Sequence, residues 1–246
     1  MKKVLILICL LFLLCSCNGV DSNKEENNNE QENNQTQKEL TKDEIVTVYQ
    51  NTAVYVKNIS TKPQVSSLSY QESDNYDTLN SVVALVKLAS NLYSDESFVI
   101  SNEFVEFDLV LGESALKMML LTETNVSDNK LVATYIYYSA TEEINEQTPF
   151  VQISVDYNFE TSEISGFEII QAACMGDQVN LHFKYDGTKF YEFDPFDEPT
   201  NQEEYDSIVA ATIAIRDEYV LRVENKVEVN KDYSIEYLDA MEFAFS

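Results

Sequence analysis

The chain has 246 residues, 44% of them hydrophobic, and carries 43 acidic against 16 basic side chains, for a formal net charge of −27. A surface this acidic, with no basic stripe, is repelled by phosphate backbones, so no nucleic-acid partner is expected. Its five glycines, at positions 19, 112, 166, 176 and 187, are too scattered for a phosphate-cradling loop, and a single histidine, His182, cannot build a histidine zinc site.

In chain order, Lys2 and Lys3 precede an unbroken apolar run from Val4 to Leu14. At about 1.5 Å per residue such a run covers about half of the roughly 30 Å hydrocarbon layer, which suits a signal peptide and not a membrane-spanning helix. The segment that follows, Leu14-Cys15-Ser16-Cys17, resembles the bacterial lipobox: an aliphatic residue, two small residues and a cysteine that receives a diacylglyceryl thioether. The resemblance covers the export segment alone, and Cys15 is a less usual choice at its middle position. Lipidation at Cys15 instead would put bulky Leu14 at the cleavage site, so Cys17 is the favoured lipid attachment. The resemblance implies a signal peptide over 1–16 and a cell-membrane lipoprotein on the extracytoplasmic face, or on the outer membrane in a two-membrane cell. One acyl chain holds a membrane only marginally, at about 0.8 kcal/mol per buried methylene, whereas two or three hold stably.

Removal of Lys2 and Lys3 leaves 14 basic against 43 acidic residues, a net charge of −29. Anionic headgroups would repel that charge, so the membrane would be held by the lipid and not by the protein surface. Cys9 and Cys15 leave with the signal and Cys17 takes the lipid, so Cys174, set among Ala172, Ala173 and Met175, has no partner for an intramolecular disulfide. It reads as a small buried residue.

Residues 17–39 form the lipidated cysteine and a tether: ten of the 22 positions from Asn18 to Glu39 are Asn or Gln. Too little apolar surface is present to offset the entropy of ordering, and a flexible chain of this length reaches about 25 Å. Asp21, Asn23 and Glu25 do not make an EF-hand loop, because no glycine stands at its sixth position.

Residues 40–246 read as one domain. Thr41-Lys42-Asp43-Glu44 is a capping box, and Ile45, Val48, Tyr49 and Thr52 recur with helical spacing, predicting a helix over about 42–57. After Pro63 a second helix is predicted over about 75–93, with Leu79, Val82, Val83, Val86 and Ala89 on one side. From Phe98 to Phe193 the period changes to two. Val105, Phe107 and Leu109 alternate with Glu106 and Asp108, then Gly112-Glu113 turns the chain. Val151 to Phe159 alternates likewise, and Val179 to Tyr185 leads into Asp186-Gly187, a strong hairpin signal. Leu116 to Leu121 and Leu131 to Tyr138 are apolar on both faces and are predicted to be central strands, sandwiched by helices or enclosed by curvature. A third helix starts near Thr200 to Asn201, carrying Ile208, Val209, Thr212, Ile215 and Tyr219, and the chain ends on an amphipathic stretch from Ser234 to Phe245 whose Met241, Phe243 and Phe245 are expected to dock on the sheet. The predicted fold is α+β: an antiparallel meander of about six to eight strands, flat or curved, with one wet face and with helices from both ends of the domain packed on it.

Catalytic signals are sparse. His182 falls on the polar side of its strand, and Gly112-Glu113-Ser114-Ala115-Leu116 lacks the closing glycine of a nucleophile elbow. Asp194-Pro195-Phe196-Asp197-Glu198-Pro199 concentrates oxygens that a Ca²⁺ ion takes, but its spacing matches no calcium loop, so it reads as a turn. Fifteen tyrosines and thirteen phenylalanines without a tryptophan argue against a platform specialised for sugar stacking. No catalytic residue, cofactor or metal ligand is assigned. The expected function is a monomeric, non-catalytic binding or structural module. The alternatives are a carrier that shelters a hydrophobic ligand in a curved sheet and, behind it, a carboxylate-based hydrolase.

Overall fold

The structure, a computed structural model, describes residues 40–60, 72–111, 114–138, 144–145, 148–172, 179–188, 190–193 and 202–234. Cys17 and the rest of 1–39, the Gly112-Glu113 turn, Cys174, the Asp194 to Pro199 loop and the Met241 to Phe245 end lie outside the described residues.

Helix α1 (Lys42–Ser60) opens on the expected capping box. The Thr41 amide donates to Glu44 Oε2 at 2.8 Å, and the Glu44 amide donates back to Thr41 Oγ1 at 3.3 Å, so two of the amides left over at a helix start find acceptors. Helix α2 (Glu72–Ser94) packs beside it. Seven strands follow as a pure meander: β1 (Val105–Leu111), β2 (Ser114–Asn125), β3 (Lys130–Tyr138), β4 (Phe150–Tyr157), β5 (Ile164–Ala172), β6 (Val179–Tyr185) and β7 (Phe190–Phe193). Helix α3 (Gln202–Arg222) and a short 3-10 turn lead into β8 (Val227–Ser234). The spatial order is β7-β6-β5-β4-β3-β2-β1-β8, an α+β architecture with one sheet packed by helices from both ends of the domain.

Two features depart from the meander expected. The eighth strand pairs with β1 in parallel, so the sheet is mixed. Only Val227, Val229 and Tyr233 are apolar along it and Lys231 takes the remaining position of that alternation, so the signal that would mark a strand is weak. Furthermore, the second face is not simply wet. On the first face, Phe107, Leu120, Tyr135, Ile153, Ile169 and Phe183 come from successive strands and join α1 and α2 in one continuous core. On the second, Phe104, Met119, Leu121, Ile136, Phe150 and Ile170 form a smaller core beneath Tyr219 of α3. The two-faced apolar runs in β2 and β3 are thus central strands packed by helices on both sides, as the sequence predicts.

The side of α3 that faces the sheet keeps Thr212, Ile215 and Tyr219 of the predicted stripe and adds Arg216. Thr212, Arg216 and Tyr219 are buried, spaced four and three residues apart, whereas Ile208, Val209 and Ile215 are half-buried. Its floor explains this, since Thr134, Gln152 and Glu123 stand on the sheet below it. Two glycines are required where they stand. Gly187 has φ +90° in the Asp186-Gly187 hairpin, and a Cβ on Gly166 would lie 2.5 Å from the Tyr185 carbonyl oxygen. Among the described residues no helix is long and apolar enough to cross a membrane.

Candidate binding cleft

Helix α1 runs obliquely across one end of the apolar face. Tyr49 shares a 2.6 Å hydrogen bond with Thr122 of β2, Asn51 Nδ2 donates to the Tyr157 hydroxyl of β4 at 3.2 Å, and Tyr55 packs on Tyr185 of β6 with ring centroids 6.3 Å apart. Positions 51, 54, 55 and 58 share one side of the helix by their i, i+3, i+4, i+7 spacing. That side overhangs the ends of β4 and β5 and forms one wall of a cleft of about 880 Å³.

The opposite wall comprises two turns built by asparagine. In the β2–β3 turn, Asn125 Oδ1 accepts from the Asp128 amide at 3.1 Å, and the carbonyl of Asn129 accepts from the Tyr157 amide at 2.7 Å, which ties the turn to the end of β4. In the β4–β5 turn, Asn158 Oδ1 accepts from the amides of Glu160 and Thr161, both at 2.9 Å. An asparagine side chain that satisfies backbone amides in this way closes its own turn. Asn129 (φ +54°) and Ser162 (φ +60°) occupy the left-handed region, one in each turn, and both line the cleft.

The lining mixes polar groups with apolar surface. Asparagines supply donors and acceptors, Ser162 and Ser165 supply hydroxyls, and Asp128, Asp156 and Glu163 supply carboxylates; no lysine or arginine is among the lining residues. Val54, 52% exposed, with half-buried Ile164 and the half-buried ring of Tyr55, supplies the apolar part. Burial, and then the neighbouring Tyr185, push the Tyr55 hydroxyl up to about 12, so it enters any contact as a neutral donor.

Two other ionisable clusters lie on the second face. Glu106, read from its strand as a wet-face residue, is buried instead. It accepts from Lys117 Nζ at 3.2 Å, from Lys226 Nζ and from the Tyr138 hydroxyl, while Lys117 also meets Asp108 at 3.1 Å. Burial alone would raise its pKa, but the three donors outweigh it and hold the carboxyl below its ordinary range. Saturated with donors and ionised, Glu106 clamps β8 to β1, β2 and β3 and has no proton to give. Tyr138 is raised well above its ordinary value, by burial first and then by Glu106.

His182 lies on the polar side of β6, as its alternation predicts, but only 16% of its side chain is exposed. The reason is Glu168 on β5, whose carboxylate meets His182 Nε2 at 2.6 Å. That hydrogen bond is the largest influence on Glu168 and holds its carboxyl below the ordinary range. Lys130 and Lys184 act on the same carboxylate, so the pair belongs to a cross-strand charge network. Among the described residues no group of three or more histidine, cysteine or acidic side chains is placed to hold a metal ion.

The sequence-derived attachment residue, Cys17, and the Asp194 to Glu198 calcium candidate both lie outside the described residues. Of the near-elbow, Ser114, Ala115 and Leu116 open β2, and Gly112 and Glu113 are likewise outside. The cleft residues carried no signal of their own. Ser127-Asp128-Asn129 and Asn158 to Ser162 can be recognised as turn sequences, but only the path of α1 over the sheet brings them opposite Asn51 and Tyr55. Comparison with protein-family models, with curated proteins and with solved structures gives no match for this chain.

Proposed function

We propose that the chain is a membrane-anchored extracytoplasmic lipoprotein, lipidated on Cys17, whose folded unit is a non-catalytic binding module. The observation that carries this reading is Leu14-Cys15-Ser16-Cys17 directly behind the Val4 to Leu14 apolar run. The polar stretch from Asn18 to Glu39 supports it, since a lipid followed by a flexible spacer lifts a domain clear of headgroups. A concave cleft on a helix-braced sheet, lined by both hydrogen-bonding groups and apolar surface, supports a binding role.

Metabolic labelling with a palmitate analogue tests the anchor. The native chain is expected to be labelled and to sediment with membranes, while Cys17→Ala is unlabelled and released; labelling that persists in Cys17→Ala overturns the reading. The non-catalytic assignment is tested separately by incubating the full chain in detergent with ester, glycoside and peptide substrates. Turnover that survives repurification would establish the carboxylate-based hydrolase in its place.

A further inference from the structure

We propose that the cleft between α1 and the β2–β3 and β4–β5 turns binds a small carbohydrate, neutral or amine-bearing, and recognises it by hydrogen bonding instead of aromatic stacking. This rests on the reading of the folded unit as a binding module and names the chemical class that module takes.

Size comes first. About 880 Å³ of open concave space falls within the roughly 300–1,000 Å³ that small-molecule sites occupy. The lining then selects the ligand. Amides both donate and accept, hydroxyls do the same, and carboxylates accept only, so a ring of hydroxyl groups finds a complement at each position. Among the described residues, the side chains of Asn129, Asp156 and Ser165 have no protein partner, and all three line the cleft. Their capacity is met by water or by a ligand.

Other classes fit less well. A phosphorylated or acidic ligand meets Asp128, Asp156 and Glu163 with no lysine or arginine in the lining to offset them. A purely apolar ligand would strip water from those carboxylates and amides without replacing its hydrogen bonds, a cost of order 1–3 kcal/mol for each group left unsatisfied. A flat aromatic ligand needs a free ring to stack on, and Tyr55 is already packed against Tyr185. A sugar combines hydroxyls with patches of C–H surface, and Val54 and Ile164 supply the matching apolar ground.

The walls are also set in advance. Both turns are closed by their own asparagine bonds, with Asn129 and Ser162 in left-handed conformations, so little ordering remains to oppose binding.

The test uses the full chain in detergent micelles, by saturation-transfer NMR and calorimetry. Probes are glucose, mannose, N-acetylglucosamine, glucosamine and their short oligomers, with glucuronate and trilysine as charged controls. We expect saturable binding of at least one neutral or amine-bearing sugar, and binding at least about tenfold weaker in Val54→Arg, which fills the cleft from an exposed helix position, and in Asp156→Ala. Both variants should keep the native circular dichroism and melting temperature. No sugar binding below about 10 mM, binding that survives both variants, or displacement of every sugar by trilysine would each overturn the proposal. Palmitate labelling is read on the same variants, so a failed cleft with intact labelling leaves the anchor standing, and lost labelling with intact sugar binding leaves the cleft standing.

Discussion

On the face of the sheet covered by α1 and α2, every strand contributes to a single apolar core, and Phe98, Phe107 and Tyr233 interlock edge to face at ring distances of 5.7–6.2 Å. On the opposite face the apolar area is confined to a band under α3, flanked on one side by the Glu106 clamp and on the other by the Glu168–His182 network. The first face is held by area removed from water, which is non-directional and tolerant of local change. The second depends on a few directional contacts in a partly dry setting, where losing one partner strands another. Recognition groups can therefore gather at the end of the sheet, where α1 overhangs the turns, without weakening the main core.

Truncations on the two faces should break or sharpen this contrast. Phe98→Ala removes a fully buried ring that touches Tyr93, Phe107 and Tyr233, and urea denaturation should show a loss of about 3–5 kcal/mol. On the other face, Tyr219→Phe removes only a hydroxyl that donates to the Thr148 carbonyl at 2.7 Å, so about 1 kcal/mol is expected. Glu106→Gln falls between them. It leaves Lys117 and Lys226 without their buried counter-charge, and about 2–3 kcal/mol should be lost. Its pH dependence has a defined sign. Because the folded carboxyl is held below its ordinary value of 4.5, its contribution is complete above that pH and disappears as the pH falls through the folded value. The variant should consequently lose less stability on acidification below about pH 5 than the native chain does. Equal acid profiles would show that Glu106 is not the group that distinguishes the second face.

Gly166→Ala probes the seam between the faces at the cleft. An added Cβ would press on the Tyr185 carbonyl oxygen at 2.5 Å and approach Asp156 Oδ2 at 3.1 Å. Backbone of β5 or β6 must shift, at a cost of about 1–3 kcal/mol. A melting temperature equal to that of the native chain would show the strand ends to be looser than the structure places them.

Much of this architecture is legible before any coordinates. The Thr41 to Glu44 capping box marks the start of α1, the alternation of β1, β4 and β6 marks the strands that present one apolar face, and the double-sided runs from Leu116 and Leu131 place β2 and β3 in the middle. What escapes are features that arise only when distant segments meet. Lys226 stands 120 positions from Glu106, so the burial of that glutamate has no local signature. β8 is secured as a strand by its pairing with β1, since Lys231 replaces an apolar residue in its short alternation and leaves the local signal weak. Similarly, the asparagines of the cleft read as turn formers one at a time, and their convergence depends on the oblique path of α1.

The smallest effect should come from the only histidine. His182→Gln keeps a polar group beside Glu168 but removes the imidazole that meets its carboxylate at 2.6 Å. The Glu168 carboxyl is held low mainly by its hydrogen bond to His182, so the stability gained from the pair is present above the ordinary carboxylate value and is lost as pH falls through the folded one. Replacement should raise the Glu168 pKa toward its ordinary value and reduce the loss of stability on acidification, so that native and variant stabilities converge at low pH. At neutral pH the loss should stay below about 1 kcal/mol, because the glutamate is partly exposed and Lys130 and Lys184 remain beside it. Proton NMR titration of the Glu168 side chain in both proteins is the direct measurement. If the substitution instead costs as much as Glu106→Gln, the two polar margins of the second face are equivalent clamps, and the distinction between a buried anchor at β8 and a lighter surface network at β6 does not hold.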